Sequence, residues 1–399
     1  MSRIPDPLSR KLLIISPWYP NRVHPQDGNF VRRFAKLATD WGEVKLIHVG
    51  EDPSLAKGIF DYQQRKEEGL EVVQIYYSGA GARVQRRWWR IKAWRKAILA
   101  LEGWRPTLLH AHVLIDGGII ASCLGFWWDV PYLISAHSSR YLEATWPKRY
   151  DIDRFLAKWS ILRSSAVLPV SHALRQALVS QGFKATFRVI PNLVDDQKFL
   201  PPATERHSQQ PYTLFHLSDF SQQKNLPLLL ASFAQLAPYH PGVRLIIAGN
   251  GPTKNLRRWK EAHPAFSERI HILGSLRQEQ VISHLQQADL FVLSSRVETQ
   301  AIVVMEALLC GLPVVATRCG GPEELFANTS DGTLVGEHNP QAFSTAIAQW
   351  LTKGPEQLVT RIARAEVAHK RFSQAKNRKQ LFTLYQDAVA RHLANTTNT

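Results

Sequence analysis

Cysteine is scarce in this chain of 399 residues, and its scarcity excludes two kinds of protein. The three cysteines, Cys123, Cys310 and Cys319, have no paired spacing and no nearby histidines. The sequence therefore indicates neither a disulfide framework nor a zinc site, and it favours a reducing compartment. Hydrophobic residues make up 45% of the chain, which is typical of a folded globular protein and excludes general disorder.

Long uninterrupted hydrophobic runs are also lacking. The longest, residues 117–134, is broken by Asp129 and Pro131, so it predicts a buried helix followed by a strand rather than a membrane span. The apolar segment 12–16 is too short for the core of a secretory signal. We therefore expect a cytoplasmic location, and peripheral attachment to the inner face of the plasma membrane stays open.

Acidic residues are outnumbered by basic ones, which gives a formal net charge of +16. The excess is uneven: residues 1–200 hold 29 Lys and Arg against 18 Asp and Glu. It peaks at residues 83–98, where a helix would group Val84, Trp88, Ile91 and Ile98 on one face. Such a helix either packs on its domain with a solvated basic face or docks on anionic membrane headgroups. Nucleic acid ranks last, because no recognisable nucleic-acid module accompanies the segment.

Short apolar strands alternate with helical segments along the chain, which predicts an α/β protein with doubly wound sheets. Its length is sufficient for two domains, and the polar segment 201–210 marks a boundary between them. We predict an N-terminal domain over residues 1–200 and a second domain over residues 201–375. A last helix, within residues 376–399, is expected to pack back on the first domain.

One stretch, residues 288–317, organises the second half of the chain. Residues 288–294 are apolar and partly branched, as in a buried parallel strand, and residues 302–310 favour a helix. Gly311 stands where a helix C-cap glycine is expected, with Pro313 just beyond it. A second strand, residues 313–317, then closes a strand–helix–strand unit. The loop between strand and helix is therefore predicted at the carboxyl end of a parallel sheet, where open sheets bind ligands.

That loop and the start of the helix form a candidate anion site. Backbone N–H groups of residues 300–303 open the helix, and a helix N-terminus favours a phosphate. Glu298 precedes the terminus and Glu306 lies one turn inside it. Two carboxylates beside an anion are costly unless they bind neutral groups such as sugar hydroxyls. The alternative is that both are ordinary solvent-facing charges.

Two further candidates lie in the first half. Gly28 and Asn29 stand at a helix start, where the backbone either approaches a phosphate or sugar or makes a plain turn. His137 ends a predicted strand, a position that suits either ligand binding or a structural role. By contrast, Gly79 and Gly81 do not form a dinucleotide fingerprint, because the third glycine is missing.

Residues Glu298 to Glu306, with the following Ala-Leu-Leu-Cys-Gly-Leu-Pro-Val-Val-Ala-Thr run and Cys319-Gly-Gly-Pro-Glu323, resemble the donor-binding signature of the family 4 retaining glycosyltransferases. The similarity covers roughly residues 11–390 and is densest over residues 212–325. Three positions depart from the family pattern: Asp219 replaces an arginine, Leu193 replaces a glycine and Ser138 follows the histidine in place of a glycine.

The resemblance implies two facing Rossmann-like domains, the GT-B architecture, with a deep interdomain cleft. It also implies roles for particular residues. Glu306 would bind ribose hydroxyls, Glu298 would bind the donor sugar and Lys224 would neutralise the diphosphate. The remaining implied contacts are backbone groups of Thr299, Gln300, Ala301, Ile302 and Val303 for the diphosphate, Gly274 and Leu276 for the base, and His137, Gly28 and Asn29 from the first domain.

The function that follows from the resemblance is retaining transfer of a hexosyl group from a nucleoside-diphosphate sugar, UDP- or GDP-linked. The expected acceptor is a sugar or lipid-linked glycan in bacterial cell-surface polysaccharide synthesis. We expect no essential metal and no nucleic-acid partner, with residues 83–98 as a candidate contact to an anionic membrane. Two alternatives stay open: a nucleotide-sugar epimerase or hydrolase on the same fold, and a non-catalytic nucleotide-sugar-binding protein.

Overall fold

The computed structural model describes residues 9–142, 151–205 and 211–397. The chain divides into two compact units, one of residues 1–193 and 375–399 and the other of residues 194–374. The predicted boundary lay after residue 200, whereas the division falls between Leu193 and Val194. Its position has a physical reason: Leu193 is buried in a core of the first unit, while Val194 and Phe199 are buried in a core of the second.

The first unit is built on a seven-stranded sheet of order β3-β4-β2-β1-β5-β6-β7. Its strands are β1 (Lys11–Ser16), β2 (Glu43–Asp52), β3 (Phe60–Glu67), β4 (Leu70–Ser78), β5 (Leu108–His112), β6 (Tyr132–Ala136) and β7 (Ala166–Pro169). Its helices are α1 (Asn29–Ala38), α2 (Arg83–Leu99), α3 (Gly117–Trp128), α4 (Asp151–Ile161) and α5 (His172–Ser180). All strand pairs are parallel except β3 with β4. The sequence did not predict β3, because its polar residues carry little of the apolar signal that marks a strand.

Helices cover both faces of this sheet, so the central strands are buried on both sides. Buried residues of α2, α3, α4 and α5 share one core with one face of the strands. The opposite face packs against α1 and the C-terminal helix α13 (Gln374–Thr397). On α13, Leu381, Tyr385 and Ala388 are buried in that core, and the Tyr385 ring lies 5.3 Å from the ring of Trp41.

The basic segment forms α2, but its packing face differs from the face that the sequence suggested. Buried side chains of α2 are Ala93, Trp94 and Ala97. Val84, Trp88 and Ile91, which the helical spacing groups together, are 80%, 55% and 55% exposed. Ala93 and Ala97 allow the helix to lie close to the sheet, and Trp94 packs into the core. Ile98, the fourth residue of the predicted group, also packs against that core, whereas the other three point to solvent.

The second unit is built on a six-stranded parallel sheet of order β10-β9-β8-β11-β12-β13. Its strands are β8 (Tyr212–Ser218), β9 (Val243–Gly249), β10 (Ile270–Ile272), β11 (Leu290–Leu293), β12 (Val314–Thr317) and β13 (Gly332–Val335). Its helices are α6 (Leu226–Leu236), α7 (Lys254–Ala262), α8 (Pro264–Ser267), α9 (Gln278–Gln287), α10 (Ile302–Leu309), α11 (Pro340–Leu351) and α12 (Leu358–Phe372). The strand predicted to reach Leu276 ends at Ile272, because the chain leaves the sheet edge there.

The predicted strand–helix–strand unit of the second half is confirmed. Strands β11 and β12 pair in parallel, with Val292 opposite Val315, and α10 connects them. Gly311 ends the helix with a φ of 68°. A Cβ at that position would lie 2.2 Å from the Arg361 carbonyl oxygen, so glycine is required by both conformation and space. Among the described residues, no helix is long and apolar enough to cross a bilayer.

Candidate functional site

The second sheet has a topological switch point between β8 and β11. The chain enters at β8, continues outward through β9 and β10, and then returns to β11 on the other side of β8. Loops that leave the carboxyl ends of two such strands diverge, and the crevice between them is where open α/β sheets bind ligands. Lys224 lies in the loop after β8, and Glu298 lies in the loop after β11.

These two side chains form an ion pair across the switch point. Lys224 Nζ donates to Glu298 Oε1 at 2.8 Å, and the side chains are only 20% and 10% exposed. Ser295 Oγ donates to the same carboxylate oxygen at 2.8 Å. Burial by itself lowers the pKa of Lys224, but the charge and hydrogen bond of Glu298, together with the Asp219 charge, raise it above its usual value. The structure therefore presents a fixed, charged lysine beside Glu298, whose Oε1 accepts hydrogen bonds from both neighbours.

The loop after β11 holds the Lys224 turn in place. Ser294 Oγ donates to the Lys224 carbonyl oxygen at 2.9 Å. The backbone N–H of Arg296 donates to the carbonyl oxygen of Gln223 at 2.7 Å. Because both bonds involve backbone groups beside the lysine, they fix the direction from which its side chain approaches Glu298.

The same loop is tied on its other side to the chain after β12. The Glu298 N–H donates to the Cys319 carbonyl oxygen at 2.9 Å, and the Gly321 N–H donates to the Glu298 carbonyl oxygen at 2.8 Å. A Cβ on Gly321 would lie 2.4 Å from the backbone nitrogen and Cα of Gln300. Glycine at this position therefore permits the close approach of the two loops.

Helix α10 begins shortly after the backbone contacts between these two loops. Ala301 is its N-cap, with a left-handed φ of 61°, a conformation that is sterically strained for alanine. The backbone groups predicted to face a phosphate follow Glu298 along the chain and continue into the first turn of this helix. They belong to Thr299, Gln300, Ala301, Ile302 and Val303. Glu306 lies one turn further and is 6% exposed, so it is not the solvent-facing charge of the alternative interpretation.

The predicted base-contacting residues lie at the same carboxyl edge of the sheet. Gly274 and Leu276 follow β10, and the Gly274 carbonyl oxygen accepts a bond from the Gly249 N–H at 3.1 Å. Gly249 in turn passes so close to Ser218 that a Cβ would lie 1.6 Å from the Ser218 carbonyl oxygen. The exits of β8, β9 and β10 are thus held together at this edge.

In the first unit, the structure brings the Gly28–Asn29 turn close to His137. Gly28 has a φ of 62°, and a Cβ there would lie 2.4 Å from the backbone of Trp18. Helix α1 starts at Asn29, and the ring of the next residue, Phe30, lies 4.4 Å from the ring of His137. The Gly28–Asn29 turn and His137, the two elements of the first unit predicted to contact a ligand, therefore occupy one end of this sheet.

His137 is held by a second buried histidine, which lies at the end of β5. His137 Nε2 lies 3.0 Å from Nδ1 of His112, so one ring donates and the other accepts. Burial lowers the pKa of His137 to about 3 and lowers that of His112 well below its usual value. Both rings are therefore neutral at physiological pH. The spacing of His110 and His112 on one strand contained this signal, since it places both on the side of the sheet that His137 also faces.

A further histidine, which the sequence analysis did not single out, lies at the switch point of the second sheet. His216 of β8 contacts the Val292 carbonyl oxygen through Nδ1 at 2.8 Å and Ser218 Oγ through Nε2 at 2.9 Å. Burial lowers its pKa to about 4. It links the two strands that flank the crevice. Among the described residues there is no group of three or more His, Cys, Asp or Glu side chains that could hold a metal ion.

Two family models match successive parts of the chain. Residues 28–198 match Glycosyltransferase Family 4, and residues 201–368 match Glycosyl transferases group 1. D-inositol 3-phosphate glycosyltransferase of Corynebacterium urealyticum is 27% identical over 326 residues, which are 74% of this chain and 76% of that protein. The putative teichuronic acid biosynthesis glycosyltransferase TuaC of Bacillus subtilis is 25% identical over 408 residues, covering 94% of this chain and 98% of that protein.

The structure of this chain also resembles solved structures. The crystal structure of Anabaena HepE in complex with UDP and glucose superposes with a TM-score of 0.70 at 18% identity, covering 95% of this chain and all of that one. The two Rossmann-like sheets described above are the fold of the GT-B glycosyltransferases. With family models matched on both units and the fold shared along the chain, this protein belongs to the family 4, group 1 glycosyltransferases, enzymes that use nucleotide sugars.

Proposed function

We propose that this enzyme transfers a hexosyl group from a nucleoside-diphosphate sugar, with retention of the anomeric configuration, to a sugar or lipid-linked glycan acceptor. The observation that carries the proposal is the Lys224–Glu298 pair, 2.8 Å apart at the switch point and directly before the N-terminus of α10. A cation and a helix terminus suit a diphosphate. A carboxylate beside them suits hydroxyl groups.

In the proposed complex, Lys224 and the first amides of α10 stabilise charge on the departing diphosphate. Glu298 accepts hydrogen bonds from the donor sugar, Glu306 binds the ribose hydroxyls, and the backbone of Gly274 and Leu276 contacts the base. For the first unit we propose that His137 and the Gly28–Asn29 turn contribute to sugar binding. The lysine and the helix terminus supply positive charge, so we propose that no metal is essential.

The geometry of Glu298 supports a particular kind of retaining mechanism. Its Oε1 already accepts from Lys224 Nζ and from Ser295 Oγ, and both bonds reduce the nucleophilicity of the carboxylate. A covalent glycosyl–enzyme intermediate on Glu298 would have to form from this weakened nucleophile. We therefore propose reaction on one face of the sugar, with the leaving phosphate accepting the acceptor proton.

For the acceptor we propose an anionic or lipid-linked glycan of bacterial surface polysaccharide synthesis, met at the inner face of the plasma membrane. The relatives reported above are named for an inositol phosphate and for teichuronic acid. Basic residues exceed acidic ones in residues 1–200, by 29 to 18, which favours an acidic partner. Residues 83–98 are the proposed contact with the anionic headgroups.

A thermal-shift screen against UDP, GDP and ADP and their sugar conjugates, without added metal, tests the donor site. A ligand that binds only the folded protein raises Tm by mass action, and the shift should disappear in Lys224→Met but persist in Lys254→Met, an exposed lysine of the same unit. Product NMR then reports the anomeric configuration. Turnover of the donor without acceptor would favour an epimerase or hydrolase, and binding without any turnover would favour a non-catalytic protein.

A further inference from the structure

Helix α4 of the first unit carries an apolar stripe that faces solvent. Ile152, Phe155 and Trp159 are 63%, 68% and 40% exposed, and Leu162, just after the helix, is 70% exposed. Spacings of three and four residues place these side chains on one side of the helix. The opposite side packs into the core through buried Ala157. An amphipathic helix normally turns such a stripe inward, so an outward stripe indicates a contact surface.

Two neighbouring helices extend this surface. The buried residues of α2, α3 and α4 belong to one core on one face of the sheet, so the sides of these helices away from the sheet point in the same direction. On α2 that side presents Trp88 and Ile91, and at the end of α3 it presents Phe126 and Trp127, which are 66% and 71% exposed. We name the sides of α2, α3 and α4 that point away from the sheet the outer helix face.

The charge of the outer helix face is of one sign on α2. That helix contains seven Lys and Arg residues and no Asp or Glu. Arg86 and Arg90 pair with carboxylates of the domain, each at 3.2 Å. Arg87 and Arg95 are exposed and form no ion pair with a carboxylate of the described residues, although Arg87 is close enough to Asp116 to act on the pKa of that carboxyl. The unpaired cations lie on the exposed side of α2, interleaved with Trp88 and Ile91.

Aromatic rings and cations are also in direct contact on this surface. Lys92 Nζ lies 5.3 Å from the ring centre of Trp88, and the Arg163 guanidinium lies 5.5 Å from that of Phe126. Aromatic and long basic side chains together match the boundary between headgroups and acyl chains, where rings are buried and cations reach phosphates.

We propose that the outer helix face docks on an anionic phospholipid bilayer, with the α4 stripe and the end of α3 inserting among the acyl chains and α2 neutralising headgroups. This deepens the membrane-side acceptor proposed above and rests on it. The charge argues against a second copy of the chain as the occupant. A two-fold contact would set the same acid-free basic helix against itself, within a molecule of net charge +16.

Vesicle co-sedimentation of the full-length protein tests the proposal. We expect binding to vesicles of equal parts phosphatidylglycerol and phosphatidylcholine, little binding to phosphatidylcholine alone, and weakening by salt. Arg87→Glu with Arg95→Glu should weaken binding roughly 30-fold or more, from about fivefold for each cation lost near an anionic surface. Phe155→Ser with Trp159→Ser should weaken it at least tenfold at unchanged charge.

Matched controls separate insertion from general surface effects. Tyr239 is 83% exposed on the second unit, so Tyr239→Ser should leave vesicle binding unchanged. All variants should keep the wild-type unfolding temperature, because the substituted side chains are exposed. If Phe155→Ser with Trp159→Ser unfolds the protein, Phe126→Ser with Trp127→Ser replaces it as the insertion variant.

Three outcomes would overturn the proposal: no binding to the anionic vesicles, binding that the insertion variants do not weaken, or a concentration-dependent dimer that those variants abolish. The nucleotide-induced thermal shift distinguishes these from failure of the proposed function. The shift should be identical in the vesicle-binding variants and wild type. Its absence from all of them, with vesicle binding intact, would refute the donor site alone.

Discussion

Replacing Glu298 with Gln should separate nucleotide binding from turnover. In the ligand-free protein, Lys224 Nζ is held by Glu298 Oε1 at 2.8 Å. A diphosphate that uses the lysine must compete with this carboxylate and also approach its negative charge. The glutamine keeps the size of the side chain but removes the charge, so the lysine becomes more available while the hydrogen-bond acceptor for the sugar becomes weaker.

The magnitude follows from the burial of the pair. Side-chain exposures of 20% and 10% place the pair between a surface ion pair and a buried one. Glu298 should therefore oppose diphosphate binding by about 1–2 kcal/mol. The dissociation constant of the nucleoside diphosphate should therefore fall roughly 5- to 30-fold in Glu298→Gln. In Lys224→Met it should rise roughly 10- to 150-fold, because a charge-assisted bond to phosphate is lost.

Turnover should respond in the opposite way to nucleotide binding. We expect Glu298→Gln to lower kcat by about tenfold or more, since its carboxylate orients the donor sugar in the proposed complex. Isothermal titration with the nucleotide identified in the thermal-shift screen gives the affinities, and initial rates give kcat. Glu337→Gln and Lys254→Met are charge-matched controls on exposed residues of the same unit. If Glu298→Gln weakened nucleotide binding as Lys224→Met does, the carboxylate would support the lysine rather than compete for it, and the reasoning would be refuted.

Three further predictions concern backbone conformation and buried histidine. Ala301→Gly relieves the left-handed φ of 61° and should raise the free energy of unfolding by up to about 1 kcal/mol in a urea titration; a comparable loss would show that the Cβ packing matters more. Gly321→Ala places a Cβ 2.4 Å from the Gln300 backbone and should lower both Tm and nucleotide affinity, whereas Gly336→Ala, with its nearest atom at 3.9 Å, should change neither. Burial lowers the pKa of His110 to about 3, so the unfolded chain binds the proton more tightly than the folded protein. The free energy of unfolding should therefore fall as pH decreases from about 6.5 toward 3, by up to about 1.4 kcal/mol per pH unit. Urea titrations across that range should give a flatter profile for His110→Phe, and an unchanged slope would contradict this assignment.

The sequence predicted the second unit well where the hydrophobic pattern and local turn chemistry agree. The strand predicted over residues 288–294 is found over Leu290–Leu293. The helix ending before Gly311 and the strand ending at Thr317 were also predicted, because buried parallel strands are short apolar runs and the glycine marks the helix end. The same logic placed Glu298 and Glu306 at the helix start. The ion pair with Lys224 was not predictable, since the two residues are far apart in sequence and meet only because β8 and β11 are neighbours.

The first unit shows where pattern reasoning fails. Helical spacing grouped Val84, Trp88, Ile91 and Ile98 on one side of α2. The first three face solvent and only Ile98 packs against the core, because burial depends on which face has room against the sheet. Small residues at Ala93 and Ala97 fit there. Spacing indicates which residues share a side, whereas the direction of that side is decided by tertiary packing.

Asp219 is the departure from the family pattern with the largest electrostatic consequence. It stands where the family often has an arginine, and its charge helps to raise the pKa of Lys224, so it strengthens the lysine while adding negative charge at the crevice. Asp219 and Glu298 are two acidic side chains beside one lysine, so the diphosphate of the proposed complex would need further positive charge. In the proposed complex, this charge would come from the α10 amides and from other cations at this edge of the sheet. Arg296 and Arg318 are suited to this role, because both are exposed, follow β11 and β12, and make no ion pair with the described residues. The Arg296 backbone is already hydrogen-bonded to Gln223, the residue before Lys224.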